Sequence, residues 1–309
     1  MSICVVGHSN PDTDSVTSAI AYANFLNATG AEAKACMQIS AEKLNPESKV
    51  VLEKFGLAAP EEITDAAGKD VALVDFSDVA QAPANIGDAN IVGIVDHHKI
   101  GDIVTPNPIF FYAKPVGCTG TVLLEMYKTN NVDLPKDIAG GMLCAILSDT
   151  VNFKSPTCTD ADKAAVAELL EITGVTDQDA LFMDMLKAKS SVAGIPARDL
   201  IFRDYKDFDM NGKKVGIGQI ELATLDQVAD IRDDLYKAVQ EVKAEGRHTV
   251  LFMLTDVVKE GTDLMVVSDD PAIIESTYKG KIEGQSMWVD GMMSRKKQAV
   301  PPLQEAFNA

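Results

Sequence analysis

The feature that most limits how this chain can fold is an alternation. Short β-branched runs, apolar at almost every position, are separated by stretches with helical spacing. ICVVG at 3–7, VALVDF at 71–76, IVGIVD at 91–96 and IFFYA at 109–113 read as strands. A run that is apolar throughout, instead of at every second residue, belongs to a strand covered on both faces, as in a parallel sheet. Between the runs, residues 15–28 carry apolar side chains at helical spacing and end at Gly30, and residues 46–55 stop before Gly56. The series predicts βαβ units and an α/β fold with a mostly parallel sheet flanked by helices. In such a sheet, ligands sit at the carboxyl ends of the strands.

From residue 119 the pattern becomes mainly helical, with helices expected at 119–129, 135–148, 159–172 and 177–189. The small, breaker-rich stretch SSVAGIP at 190–196 then marks a boundary. We place a first domain at 1–188, a linker at 189–195 and a smaller second domain at 196–309. In the second domain, strands at 201–209 and 213–221 flank Asn211-Gly212, a pair suited to the positive φ of a type I′ turn. A helix at 226–245, strands at 249–257 and 263–268 around a turn at Gly261, and a helix from Pro271 complete an α/β domain with a mixed sheet. With 309 residues, 46% of them hydrophobic, the chain has enough length and apolar surface for two cores.

Charge excludes some functions. The 28 Lys and Arg against 46 Asp and Glu leave −18, a field that repels nucleic acid and anionic membranes instead of recruiting them. Any anionic substrate must meet local cations. MSICVVG at 1–7 lacks the basic and long apolar regions of a signal peptide, and no run approaches the ~18 apolar residues of a membrane span, so a cytoplasmic protein is expected. Five cysteines, without C-x-x-C spacing and mostly among apolar neighbours, read as reduced thiols packed like small hydrophobes.

Histidine is scarce, four residues in all, and three of them stand beside acids at expected strand ends. In GHSNPDTDS at 7–15, a tight Asn-Pro-Asp turn lets His8, Asp12 and Asp14 converge above the end of the first strand. An ordinary turn with Asp14 or Ser15 as helix N-cap explains one acid, but not a histidine with two. DHH at 96–98 closes IVGIVD. Asp75 ends an apolar strand, where an unpaired acid is costly to bury. Asp149 ends the helix GGMLCAILSD, where its charge opposes the macrodipole. His8, Asp12, Asp14, Asp75, His97 and Asp149 offer four carboxylates and two imidazoles, too many ligands for one ion. Two divalent ions carry +4, balance the four acids and can lower the pKa of a bridging water to ~7 for attack on phosphorus. Oxygen and imidazole ligands without thiolate favour manganese, with cobalt or magnesium as substitutes. SRKKQ at 294–298, three consecutive cations in an acidic chain, reads either as a solvated patch or as a phosphate clamp from the second domain. Lys206 in RDYKDF is a weaker candidate for the same work.

Taken in order, GHSNPDTDS, VDF at 74–76, DHH, LSDT at 147–150 and SRKKQ resemble the family II inorganic pyrophosphatases of the DHH phosphoesterase superfamily. The amino-terminal motifs are shared across the superfamily; SRKKQ and RDYKDF look specific to the pyrophosphatase branch. The resemblance implies a manganese enzyme that splits pyrophosphate between two domains and dimerises through the first. It implies that His8, Asp12 and Asp75 hold one metal, that Asp14, Asp75, His97 and Asp149 hold the second, and that Asp75 bridges them. His98, Lys206, Arg295 and Lys296 would contact substrate, which would enter as a magnesium complex. Asp12, Asp14, Asp75 and His98 would form the catalytic set, around a bridging hydroxide that attacks phosphorus directly.

Two other readings use the same residues. One is a DHH-type exopolyphosphatase or short-oligonucleotide phosphodiesterase, which the charge and the 6% aromatic content disfavour. The other is a metal-dependent phosphate-binding regulatory protein, against which stands the intact ligand set.

Overall fold

The computed structural model describes residues 2–308, which divide into two compact units, 2–189 and 190–308. In the first unit β1 (Ile3–Val6) leads through Gly7 into α1 (Thr13–Ala28). A Cβ at Gly7 would lie 1.9 Å from Ser15 Oγ, so only glycine allows this strand-to-helix turn. The N-cap is Asp12, whose carboxylate accepts the Ser15 N–H at 3.0 Å, so the helix begins two residues earlier than expected. The chain continues as β2 (Ala33–Met37), α2 (Pro46–Phe55), β3 (Glu61–Glu62), β4 (Asp70–Val74), β5 (Asn90–Asp96) and β6 (Phe110–Ala113). Then come α3 (Thr119–Thr129), α4 (Lys136–Asp149), α5 (Asp160–Thr173) and α6 (Gln178–Lys189).

The six strands are parallel, in the order β3-β2-β1-β4-β5-β6. From β1 the chain winds outward to β3, then returns to lay β4 on the other side of β1. Strand order therefore reverses between β1 and β4, the switch point where open α/β sheets hold their ligands. Val5, Val74 and Val95 face α1, α3 and α4, packing with Tyr22, Leu123 and Leu143. Their neighbours Val6, Leu73 and Ile94 point the other way, onto Ile63, Phe76 and Ile86 from the connections. Truncating the fully buried Leu143 to Ala is expected to cost ~2–5 kcal/mol. The sequence reading missed β2 and β3 because AKACM and EE lack β-branched residues; pairing of β2 with β1 overrides that weak propensity.

In the second unit α7 (Ala197–Phe202) precedes the hairpin of β7 (Tyr205–Met210) and β8 (Lys213–Leu222). The strand expected from 201 thus starts at Tyr205. Asn211 and Gly212 turn the hairpin with φ of 55° and 74°. A 3-10 segment, Leu225–Ile231, replaces the first turns of the expected long helix, and α8 (Arg232–Ala244) follows. Then come β9 (Thr249–Asp256), β10 (Gly261–Ser268), α9 (Pro271–Tyr278), β11 (Ser286–Asp290) and α10 (Val300–Asn308). The β9–β10 turn falls at 257–260, with Glu260 at φ 55°, and Gly261 opens β10 instead of forming the turn. The sheet order is β11-β10-β9-β8-β7, antiparallel except for the β8–β9 pair, hence mixed. Phe252 and Leu254 face α7 and α8, while Leu251 and Met253 face α9 and α10. Among the described residues, no helix is long and apolar enough to cross a membrane.

Candidate metal centre

The first unit gathers its unusual residues at the switch point. His8 follows β1, Asp75 follows β4, and His97 and His98 follow β5. His8 Nε2 lies 3.3 Å from Asp75 Oδ2 and 3.7 Å from Asp12 Oδ2. On the opposite side, His97 Nε2 lies 3.3 Å from Asp75 Oδ1 and 3.9 Å from Asp14 Oδ2. Asp75 therefore presents one oxygen to each histidine. It does so from a left-handed backbone, φ 67°, a conformation that aspartate tolerates better than most residues.

Tautomers follow from the partners. His97 Nδ1 is 3.0 Å from the Val116 carbonyl, which can only accept, so Nδ1 carries the proton and Nε2 is left as a donor to a metal. His98 Nδ1 faces Asp96 Oδ1 at 3.0 Å. That same oxygen also accepts the His97 and His98 backbone N–H groups at 2.7 and 3.0 Å. Asp96 thus holds the two histidines in place.

Asp14, on the first turn of α1, is fully buried. It accepts the Ser18 hydroxyl at 2.7 Å and the Gly120 N–H at 3.2 Å on Oδ1, and the Thr119 N–H at 2.8 Å on Oδ2. Asp149, the last residue of α4, groups with Asp14 and Cys118. Cys118 packs in the apolar core as a free thiol and is in addition the N-cap of α3, where its sulfur accepts the Gly120 N–H at 3.3 Å. Burial holds this thiol well above its ordinary pKa, so it stands beside the acids protonated. Three sets, Asp75-His97-His98, His8-Asp12-Asp75 and Asp14-Cys118-Asp149, each bring their ligand atoms within 4.8 Å of one another. All six expected ligands are in these sets, with Asp75 in two.

Burial alone would lower the pKa of His8, but the carboxylates of Asp12 and Asp75 raise it to about 10. His97 likewise rises to about 9 against its burial, held by Asp75 and Asp14. Asp75, which burial would protonate, is drawn below the usual carboxylate range by His8 and His97. Burial, with Asp75 nearby, pushes Asp14 up to about 6, and burial with Asp14 pushes Asp149 well above the usual range. Protons on the imidazoles and on Asp149 do the work that cations would do. Among the described residues, none donates a hydrogen bond to the buried Asp75 Oδ2, since His8 stands near it outside hydrogen-bond geometry. An orphaned anionic oxygen among imidazole and carboxylate donors fits a divalent cation of intermediate hardness.

The second unit collects cations separately. Lys206 on β7 and Arg295 and Lys296, in a wide helical turn at Arg295–Ala299, line a pocket of about 310 Å³ with Phe208 and Val300. Lys297 does not line it. Arg295 is held by Asp204, with Nη2 2.5 Å from Oδ1 and Nη1 2.5 Å from the carbonyl oxygen. Gln219 accepts the Arg295 N–H at 3.1 Å, and Gln298 accepts those of Met293 and Ser294 at 2.9 Å each. The sequence reading missed Asp204, Gln219 and Thr119. Only Asp204 had a local signal, its place two residues before Lys206.

The family model described as the DHH family, N-terminal domain, matches residues 2–146, and the DHHA2 domain matches 183–306. A protein of Archaeoglobus fulgidus named "Probable manganese-dependent inorganic pyrophosphatase" is 50% identical over 99% of this chain and 98% of its own length. A manganese-dependent inorganic pyrophosphatase of Methanothrix thermoacetophila is 47% identical, with the same coverage. The chain belongs to the family II, manganese-dependent inorganic pyrophosphatases. Within this family, the crystal structure of a candidate member from Methanococcus jannaschii is similar to the present fold, with a TM-score of 0.62 and 42% identity. The alignment covers 99% of this chain and 100% of that one. The DHH match contains His8, Asp12, Asp14, Asp75, His97 and His98, and Asp149 lies just beyond it; the DHHA2 match contains Lys206, Arg295 and Lys296.

Proposed function

We propose that this chain hydrolyses pyrophosphate to two phosphates with two divalent cations, manganese before cobalt or magnesium. The observation that carries the reading is Asp75, a buried carboxylate at the switch point with one oxygen toward each of two histidines and one oxygen lacking a donor. His8, Asp12 and Asp75 would hold one ion, and Asp14, Asp75, His97 and Asp149 would hold the other. Bound there, the ions supply charge to match four carboxylates and a water acidic enough to attack phosphorus near neutral pH.

The chain's residues do the rest. Val116 and Asp96 fix the two imidazoles, so His97 offers Nε2 to a metal and His98 offers Nε2 to a substrate oxygen. Arg295, Lys296 and Lys206 bind the oxygens of pyrophosphate, delivered with magnesium. Arg295 exchanges Asp204 for phosphate, a trade between two anions that its planar fork accommodates. Hydrolysis is a single displacement, expected to invert configuration at phosphorus.

A homodimer through the first unit is part of the proposal, supported by β6. It is an edge strand with Phe110 and Phe111 roughly half exposed, and the segment that leads into it exposes Ile100 and Val104. The deciding experiment is phosphate release from pyrophosphate, tripolyphosphate, long polyphosphate and dinucleotides, after chelation and addition of manganese, cobalt or magnesium. Pyrophosphate with manganese should be turned over fastest. A faster rate on polyphosphate or dinucleotide would replace this reading with that of an exopolyphosphatase or phosphodiesterase.

A further inference from the structure

Thr119 belongs to none of the motifs that define the centre, yet it touches two of its carboxylates. Its hydroxyl donates to Asp75 Oδ1 at 3.2 Å, and its backbone N–H donates to Asp14 Oδ2 at 2.8 Å. The side chain is fully buried at the start of α3, where the free N–H groups also favour anions. Gly120 N–H completes the grip on Asp14.

The imidazoles of His8, His97 and His98 stand 3.3, 3.3 and 3.5 Å from Asp75 but outside hydrogen-bond geometry, so they orient its carboxylate only loosely. Its terminal torsion is broad and roughly two-fold, so nothing intrinsic decides which way the carboxylate plane lies. The oxygen toward His8 lacks a hydrogen-bond donor, and the oxygen toward His97 receives the Thr119 hydroxyl. Threonine suits this task because its β-branch stiffens χ1 and burial removes competing water.

We propose that Thr119 is a positioning residue. By holding Asp75 Oδ1 through its hydroxyl and Asp14 Oδ2 through its N–H, it sets the carboxylate plane so that Asp75 serves two cations at once. This inference rests on the two-ion reading above. Partners that orient metal ligands typically carry 10–100-fold in affinity, and the hydroxyl of Thr119 is assigned a share of about that size.

The test compares T119V, which removes the hydroxyl at similar volume, with T119S, which keeps it. Manganese binding to the chelated, folded full chain is followed by electron paramagnetic resonance of the free ion. T119V should bind manganese ~10–100-fold more weakly, and T119S should stay within ~3-fold of the parent. At saturating manganese, the KM for pyrophosphate of T119V should remain at the parent value, because the residue acts on the ligands and not on the substrate. If T119V does not fold, T119A keeps the backbone donor and should show the same weakening. Parent-like affinity in T119V or T119A, or a T119S as weak as T119V, would overturn the inference. Because the titration needs no substrate, a parent chain that releases no phosphate from pyrophosphate would overturn the proposed function and leave Thr119 to be judged on binding alone.

Discussion

Two polar clusters, the Arg247 network of the second unit and the candidate metal centre of the first, are built to opposite rules. In the second unit, Arg247 makes four hydrogen bonds. Its Nε and Nη2 reach the two Asp207 oxygens at 2.7 and 3.1 Å, and Nη1 reaches the Val242 carbonyl and Glu245, each at 2.8 Å. Tyr205 and Lys214 also bind Asp207, at 2.9 and 3.1 Å. Acids and cations balance. In the first unit, four carboxylates crowd among three imidazoles, an acid sits on a left-handed backbone, and among the described residues one buried carboxylate oxygen has no hydrogen-bond donor. A polar cluster that serves stability is paired internally; one left unpaired and crowded with like charge is waiting for something from outside.

The largest effect should come from breaking the unpaired cluster at its centre. D75N should lower kcat by ~10³-fold or more, since it removes the shared ligand and several kcal/mol of charge stabilisation. Manganese should raise the parent's thermal midpoint and leave that of D75N in place. A D75N chain with ordinary turnover sinks the assignment of the centre. Next in size, K296A should cost ~10–100-fold in kcat/KM, the worth of ~1.5–3 kcal/mol for a hydrogen bond to a charged group. K297A, outside the pocket, should cost under ~3-fold, as an exposed charge does. Equal effects from the two lysines would remove the pocket from the substrate path.

The two clusters also differ in how much the sequence disclosed. His8, Asp75 and His97 were legible because each lies within two residues of the end of an apolar strand, and strand ends on a parallel sheet converge whatever the loops do. The helices Pro46–Phe55 and Thr119–Thr129 were legible to the residue, one between Asn-Pro and Gly signals and the other by its spacing. What escaped is what depends on distant partners. Thr119 meets Asp14 across 105 residues, and Asp207 meets Arg247 across 40, with no local pattern in either case. β2 escaped because Ala-Lys-Ala-Cys-Met becomes a strand only beside β1, and β11 because five residues after an irregular stretch carry little periodicity.

Breaking the paired cluster should give the mirror image of D75N. D207N leaves Arg247, only 8% exposed, with half of its partners and should destabilise the second unit by ~1–3 kcal/mol. Trp288 on β11, the chain's one tryptophan, reports on that unit directly, so its fluorescence during urea unfolding measures the loss. Turnover per folded molecule should stay at the parent level. If D207N lowered turnover while the Trp288 transition stayed in place, the division between a structural and a functional cluster would fail.

The smallest effect separates the clusters by the sign of their pH dependence. In the metal-free first unit, the folded pKa values of His8 and His97, about 10 and about 9, lie above the ordinary 6.5. Their contribution to stability is therefore complete below pH 6.5 and declines as pH rises through 9 to 10. Asp207 goes the other way. Burial would raise its pKa, but Arg247 and Tyr205 lower it, so its contribution is complete above the unfolded value of ~3.9 and is lost only as pH falls through the folded value. Chelated parent protein, followed by hydrogen exchange in α1 and α3, should lose protection between pH 6.5 and 9, whereas the Trp288 transition should hold steady over that range. Manganese should abolish the first-unit decline, because it requires neutral imidazoles and binds more tightly as they lose their protons. A first unit whose protection ignores pH in the chelated state would mean that no trapped protons stand in for the cations.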